Sequence, residues 1–395
     1  MRYNRSLFTV YSFITHHLFQ FCTKNFHLRP KQVFPPFLLS LFSYFCFKIK
    51  YHLILTKNEN NLSFHGIGSL RHSSPSTRKA QFSDYPMRPS YTTRRWRLRS
   101  YTRLHPSYRR SSSRGVIFSN AYVGCPLSQP SRAALWSGMM PHQTNVRSNS
   151  SEPINTPIPE NVPTLGSLFS ENGYEAVHFG KTHDMGSLRG FKHKEPVAKP
   201  FTDPEFPVNN DSFLDVGTCE DVVSYLSNPS EKPFICIADF QNPHNICGFV
   251  GENEGVHTDR PVSGTLPELP DNFDVEDWNN IPTPVQYICC SHRRMTQASH
   301  WSEENYRHYI AAFQHYTKMV SKQVDSVLKA LYSTPAGKNT IVVILADHGD
   351  GMTSHRMVTK HISFYDEMTN VPFIFAGPGI KHQKKPVDHL LTQPT

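Results

Sequence analysis

Apolar and polar positions follow two regular periods over the later part of this chain. Apolar residues spaced three and four apart predict helices at 162–172 and 303–331. Short apolar runs predict buried strands at 174–179, 233–240, 340–346 and 371–375. Strands that alternate with helices predict an α/β fold with a mostly parallel central sheet sandwiched by helices. Ligands bind such sheets at the carboxyl ends of the strands.

Two other parts of the chain lack this regularity. Residues 250–300 contain many Pro, Asp and Asn and few periodic apolar positions, which predicts a long loop of the kind that often carries function. Residues 1–60 and 85–114 show neither period, and regular patterning begins abruptly at Gly115. We therefore predict two regions, an anomalous segment 1–114 and an ordered domain 115–395.

Charge divides the 395 residues at the same place. Residues 1–114 hold 20 Lys and Arg against two acids, a net charge of +18, whereas residues 115–395 hold 21 against 30, a net charge of −9. A basic chain often binds nucleic acid. Here the basic segment and the patterned domain are separate, so no nucleic-acid partner is expected.

Neither the apolar segments nor the cysteines identify a compartment. Residues 33–47 form an apolar run that is short for a membrane span. Its length also fits the apolar core of a signal or anchor, but it lies late in the chain and no small-residue cleavage site clearly follows it. The eight cysteines include no metal-type C-x-x-C pair, and the adjacent Cys289 and Cys290 are a poor zinc pattern.

The most informative chemistry lies in residues 128–138, which read SQPSRAALWSG. Arg132 lies four residues after Ser128, about one helical turn, so both can share a helix face. Ser131 before an apolar run is also an acceptable helix N-cap, which is the bland interpretation. The segment resembles the signature of type I sulfatases of the alkaline phosphatase superfamily. By that resemblance, Ser128 is oxidised to formylglycine by a maturation enzyme, and Arg132 holds the nucleophile.

Further motifs resemble the same family in the same order. Asp347 and His348 match its second metal motif, which implies Ca²⁺ or another divalent cation. Lys181 and His183 match Gly-Lys-x-His, with the lysine binding sulfate and the histidine exchanging a proton with the nucleophile. Each motif alone is also compatible with an ordinary turn or a solvated side chain.

Two more residues complete the resemblance. His244 follows a Pro in the position of the acid that protonates the leaving alcohol, and Lys360 matches the second sulfate-binding cation. The catalytic set implied is Ser128, Arg132, His183 and His244; the substrate-binding set is Lys181 and Lys360.

The resemblance also implies parts that the chain does not show. No Asp pair stands in residues 1–114 to complete the metal shell. Residues 387–395 resemble the segment that opens the helix leading to the family's smaller C-terminal subdomain, so we expect this chain to lack that subdomain. Read one base later, the codons of 94–99 and 105–109 can encode family phrases at the family spacing. We expect residues 1–114 to be disordered or mistranslated, with a genuine divergent basic tail as the alternative, and residues 115–395 to form an incomplete sulfatase domain.

The expected function is hydrolysis of the sulfate ester of a small molecule or carbohydrate. Two alternatives remain open: a phosphomonoesterase or phosphodiesterase that uses Ser128 directly, and a non-catalytic remnant. The family resemblance favours a protein that is exported to the periplasm or the extracellular space.

Overall fold

A central mixed sheet flanked by helices organises the described part of the chain. The computed structural model describes residues 49–57, 111, 113–149, 156–203, 205–206, 208–252, 265–274, 280–291, 293–383 and 385–392. The apolar segment 33–47 and the codon phrases at 94–99 and 105–109 lie outside these ranges. None of the described helices is long and apolar enough to span a bilayer.

Eight strands form one sheet, in the spatial order β4-β3-β5-β1-β6-β7-β2-β8. The strands are β1 (Ile49–Lys57), β2 (Gly115–Tyr122), β3 (Glu175–Gly180), β4 (Lys192–Lys194), β5 (Phe234–Asp239), β6 (Thr340–Ala346), β7 (Asn370–Ala376) and β8 (Val387–Thr392).

Nine α-helices connect and cover these strands within the described ranges. They are α1 (Ser128–Ser137), α2 (Pro141–Thr144), α3 (Leu165–Glu171), α4 (Asn210–Ser227), α5 (Ile246–Glu252), α6 (Thr283–Ser291), α7 (Arg293–Ala298), α8 (Glu303–Tyr332) and α9 (Asp366–Thr369). Two short 3₁₀ turns span Pro335–Lys338 and Ser354–Arg356.

Strand directions confirm the mostly parallel sheet. β3 runs parallel to β4 and β5, and β2 runs parallel to β8. β1 is antiparallel to both β5 and β6, so β5 and β6 share a direction. β7 is antiparallel to both β6 and β2. Six of the eight described strands therefore run one way, and only β1 and β7 oppose them.

The buried strands alternate their side chains between two hydrophobic layers. In β6, Val342 and Ile344 join the layer that α4 and α8 cover, whereas Val343 and Leu345 join the layer under α1 and α3. Burial on both faces explains why these strands read as unbroken apolar runs. Ser302 caps α8 by accepting from the Asn305 amide, and Glu303 and Glu304 occupy its first turn, where acids are favourable.

Three features differ from the sequence expectations. Residues 49–57, in the segment without periodicity, form β1 at the centre of the sheet. The described parts of the expected loop 250–300 contain α6, α7 and the end of α5. Residues 387–392, which resemble the start of a family helix, pair instead as β8 along β2.

Candidate active site

The shared direction of six strands brings the sequence motifs to one edge of the sheet. β3 ends at Gly180 just before Lys181, β5 ends just before the loop that holds His244, and β6 ends just before Asp347. β2 runs the same way and leads into α1, which begins at Ser128. The placement agrees with the rule that α/β sheets build their sites at the carboxyl ends of the strands.

Ser128 lies fully buried at the start of α1 with two polar groups on its hydroxyl. Lys360 Nζ donates to Ser128 Oγ over 2.7 Å, and His348 Nε2 lies 3.1 Å from the same oxygen. His348 Nδ1 lies 2.8 Å from the Gly349 carbonyl oxygen, which requires the ring proton on Nδ1. In the neutral ring, Nε2 is then an acceptor for the Ser128 hydroxyl proton. The helix N-terminus also favours negative charge at this position.

Ser131 does not cap a helix, because α1 already begins at Ser128 with Leu127 at its N-cap. Its hydroxyl instead donates to the carbonyl oxygen of Asp347. The alternative that Ser131 is only a helix N-cap is therefore wrong. Ser131 docks the first turn of α1 onto the end of β6, which brings Ser128 beside the Asp347–His348 motif.

Arg132 makes several hydrogen bonds and ion pairs within the site. It is fully buried, its two terminal nitrogens bond both carboxylate oxygens of Asp239, and one of them also donates to the Lys181 and Thr182 carbonyls, each at 3.2 Å. Arg132 Nε lies 3.4 Å from Asp347 Oδ2. Burial alone would lower the pKa of Arg132, but the neighbouring carboxylates hold that pKa above its usual value. A single guanidinium thus joins the ends of three strands.

The loop after β3 carries Lys181 and His183. The Lys181 amide donates to the Asp239 carbonyl oxygen over 2.9 Å, which fixes the start of the loop against β5. His183 has a left-handed backbone with φ of 44° and is partly buried. The Lys181 backbone thus contacts Arg132, and His183 lies two residues further along the same loop.

The loop after β5 carries His244, directly after the cis Asn242–Pro243 bond. His244 Nδ1 lies 2.8 Å from Asp211 Oδ2, at the first turn of α4. Both side chains are partly exposed. His244 was predicted from its motif, whereas no local pattern indicated Asp211, because the two residues are far apart in the chain.

Lys360 owes its position to a buried hydrogen-bond chain. The Tyr309 hydroxyl donates to Asp350 Oδ1 over 2.8 Å and accepts from the Thr359 amide over 2.7 Å. Burial and Asp350 together raise the pKa of Tyr309 well above its usual value, so the phenol keeps its proton. Tyr309 and Asp350 thereby link α8 to both ends of the loop that ends at Lys360. Neither residue was predicted from the sequence to lie at the site.

Asp347 and His348 do not by themselves form a complete cation site. Asp347 is fully buried, and His348 Nε2 lies 3.6 Å from its Oδ1. Over the ranges that the structure describes, no group of three or more His, Cys, Asp or Glu side chains is placed to hold a metal ion. Ca²⁺ takes about six to eight oxygen ligands. The described donor set therefore does not fit a divalent cation.

Two histidines, His178 and His193, extend from Asp239 toward the edge strand β4. His178 is fully buried on β3, with Nε2 3.5 Å from Asp239 Oδ2 and Nδ1 2.8 Å from Nδ1 of His193. Burial lowers the pKa of His178 despite the neighbouring Asp239 carboxylate, which favours the neutral ring. His178 thus packs a neutral, hydrogen-bonded support behind the Arg132–Asp239 pair. No local sequence pattern indicated this role for His178.

Comparison with known proteins places these motifs in a family. A sequence model of the sulfatase family matches residues 88–394. The chain is 93% identical over 284 residues to a Δ4,5-hexuronate-2-O-sulfatase of Bacteroides thetaiotaomicron, covering 72% of this chain and 59% of that relative. It is 26% identical over 325 residues to an endo-4-O-sulfatase of the same bacterium, covering 71% and 58%.

A solved structure agrees with the sequence comparisons. The structure of a 2-O GAG sulfatase superposes with a TM-score of 0.71 at 90% identity, over 74% of this chain and 62% of that one. The chain thus spans about three-fifths of the length of these proteins.

Proposed function

This chain belongs to the sulfatase family, and we propose that it hydrolyses sulfate esters at Ser128. The observation that carries the proposal is the convergence of Lys360 Nζ and His348 Nε2 on the buried Ser128 hydroxyl. A cation beside the attacking oxygen stabilises the negative charge that develops on it, and an imidazole nitrogen can accept its proton.

The nucleophile that we propose is formylglycine, made from Ser128 by a maturation enzyme. The surroundings fit the modification, since the residue is buried at a helix N-terminus with a cation and an imidazole on its side-chain oxygen. The modified residue would supply one hydroxyl that attacks sulfur and a second that allows sulfate to be released.

The remaining residues have separate tasks in the proposed reaction. Lys181 and Lys360 bind the sulfate oxygens as cations, and His183 exchanges a proton with the nucleophile. His244 protonates the leaving alcohol oxygen as its bond to sulfur breaks. Arg132 holds the Lys181 loop and the end of β6 at a fixed distance from the nucleophile.

Sulfatases generally also use a divalent metal, and Asp347 and His348 are the residues of this chain that would contribute to its shell. The described residues do not complete that shell. No step of the proposed reaction is therefore routed through a metal ion.

If the described residues supply all the ligands, calcium is expected to give no saturable rise in Tm, because a carboxylate and an imidazole are too few ligands for a hard cation. The measurement is a thermal-unfolding titration with calcium after treatment with a chelator, with Asp347→Asn as the matched variant. A saturable rise that Asp347→Asn abolishes would contradict the expectation and would indicate ligands beyond the described residues.

The substrate class that we propose is a 2-O-sulfated hexuronate. The support is the 93% identity over 284 residues to a relative named a Δ4,5-hexuronate-2-O-sulfatase. Because the chain spans 59% of that relative, this substrate is a proposal for the protein rather than a property of the segment alone.

A second candidate function has a specific observation in its favour. The Ser128 hydroxyl faces an imidazole acceptor whose other nitrogen is fixed by the Gly349 carbonyl, which is the arrangement that activates an unmodified serine. Ser128 could in this case act directly on a phosphate ester.

The experiment that separates these functions compares 4-nitrophenyl sulfate, 4-nitrophenyl phosphate and a 2-O-sulfated unsaturated uronate, using protein made with and without a maturation enzyme. The mass of the peptide that contains residue 128 reports the modification as the loss of a pair of hydrogen atoms. Sulfate turnover only by modified protein supports the proposal, and phosphate turnover by unmodified protein supports the alternative. Turnover of none of the three esters refutes both and leaves a non-catalytic remnant.

Lys360→Met is expected to lower kcat/KM for an aryl sulfate by about a hundredfold to a thousandfold, the range seen when one donor to a developing charge is removed. Lys360 is the cation that contacts Ser128 Oγ directly. Steady-state kinetics provides the measurement, and Lys318→Met, at an exposed position on α8, is the control. A loss below threefold at Lys360 would contradict its assignment.

A further inference from the structure

One face of the first turns of α4 is built to hold the loop that carries His244. Asp215 is fully buried, and its two carboxylate oxygens accept from the Gln241 and Asn242 amides. Ser212 Oγ accepts from the side-chain amides of Asn242 and Asn245 over 2.8 and 2.7 Å. These contacts fix the backbone on both sides of the histidine relative to α4.

Asp211 is the member of this face that contacts the histidine itself. Asp211 Oδ2 lies 2.8 Å from His244 Nδ1, and the Asp211 amide donates to the Asn209 side chain that caps α4. The carboxylate therefore projects from a helical turn whose backbone is already fixed. Because a carboxylate only accepts hydrogen bonds, the proton of this pair must lie on Nδ1 of the ring.

We propose that Asp211 is a positioning residue for His244, holding its Nδ1–H so that Nε2 delivers the proton to the leaving alcohol. The inference rests on the proposed function, in which His244 is the leaving-group acid. As the bond between sulfur and the alcohol oxygen breaks, the electron pair stays on that oxygen, and the Nε2 proton is transferred to it. His244 is left neutral, with its proton on Nδ1 still bonded to Asp211.

The geometry favours this role over a purely structural one. The loop is already anchored by Asp215 and Ser212, so it does not need a further bond from Asp211 to stay in place. A carboxylate behind an imidazole selects one tautomer and stabilises the charged ring, as it does in hydrolytic triads.

The first test varies the leaving group. Asp211→Asn is expected to lower kcat/KM for phenyl sulfate by about tenfold to a hundredfold, because a general acid helps most when the leaving oxygen is basic. For 4-nitrophenyl sulfate, whose leaving group needs little protonation, the expected loss is about threefold or less. Asp211→Glu should restore part of the activity toward phenyl sulfate.

The control is Asp221→Asn, which removes a carboxylate from the same helix that instead pairs with Lys194. It should leave both substrates unchanged. An equal loss for both aryl sulfates in Asp211→Asn would mean a structural role only and would overturn the inference.

The second test does not depend on turnover. In protein labelled with ¹⁵N-histidine, the His244 signals are assigned by their loss in His244→Gln. The neutral ring is expected to carry its proton on Nδ1, and Asp211→Ala is expected to shift it toward the Nε2 form that free imidazole rings prefer. The same tautomer in both proteins, or a proton on Nε2 in the parent, would overturn the inference. If the parent turns over no aryl sulfate, the proposed function fails, while the tautomer still decides whether Asp211 sets the His244 ring.

Discussion

Ser128→Ala is expected to lower sulfate-ester turnover by about a thousandfold or more, since loss of a nucleophile removes the covalent route altogether. The side chain is fully buried, and its removal leaves the Lys360 ammonium and the His348 ring without their shared oxygen partner. Kinetics with 4-nitrophenyl sulfate measures the loss, and circular dichroism checks that the fold is kept.

Ser137→Ala is the matched control for this variant. Ser137 is a fully buried serine in the same helix, and its hydroxyl donates to the Ala133 carbonyl oxygen of the preceding turn. This variant should lower the free energy of unfolding slightly and leave sulfate-ester turnover unchanged. Turnover by Ser128→Ala at the parent rate would refute the nucleophile assignment for both the modified and the unmodified residue.

Arg132→Met is expected to lower the free energy of unfolding by about 3–5 kcal/mol, the cost of leaving a buried carboxylate without its partner. The fully buried guanidinium bonds both oxygens of Asp239 and lies 3.4 Å from Asp347. Water does not reach either carboxylate to compensate for the loss. Urea unfolding monitored by fluorescence gives the free energy.

Two further variants test the cause of that loss. Arg189→Met removes an arginine that donates to backbone carbonyls, including those of Ile158 and Val162, and should cost less. The double variant Arg132→Met with Asp239→Leu removes both partners and should regain part of the stability. Equal losses in Arg132→Met and Arg189→Met would show that the buried carboxylates are not the reason.

The sequence predicted the parts of the fold that depend on hydrophobic period. The strands at 174–179, 233–240, 340–346 and 371–375 each lie within a residue of the observed β3, β5, β6 and β7. The predicted helices 162–172 and 303–331 correspond to α3 and α8. A helix buries one regularly spaced face and a buried strand an unbroken apolar run. Both patterns can be read directly from the order of apolar residues in the sequence.

The residues that support the site show no local sequence pattern that would predict their roles. Asp239 reads as the end of an apolar strand, Asp211 as a helix first-turn acid, and Tyr309 as one apolar position of α8. Each acquires its partner through a contact between segments far apart in sequence. Local pattern predicts where a loop begins, whereas the partner across the fold is set by tertiary packing.

The same limit applies to β1. The β1 backbone pairs with both β5 and β6. This pairing uses the free edges of the two flanking strands and does not require alternating apolar and polar side chains in residues 49–57. Side-chain periodicity could not have placed it.

Because β1 runs antiparallel to its neighbours, the stability of the sheet and the chemistry at its edge are separate properties. Backbone pairing accepts a strand of either direction, so a reversed strand completes the sheet as well as a forward one. The chemistry of the site depends on strand direction. A reversed strand places its first residues, rather than its last, beside Ala346 at the edge where the site lies. A cooperative unfolding transition measured without added metal would therefore report a filled sheet and not the number of ligands at its edge. Melting temperature and specific activity should be treated as independent observables in any variant of the strand.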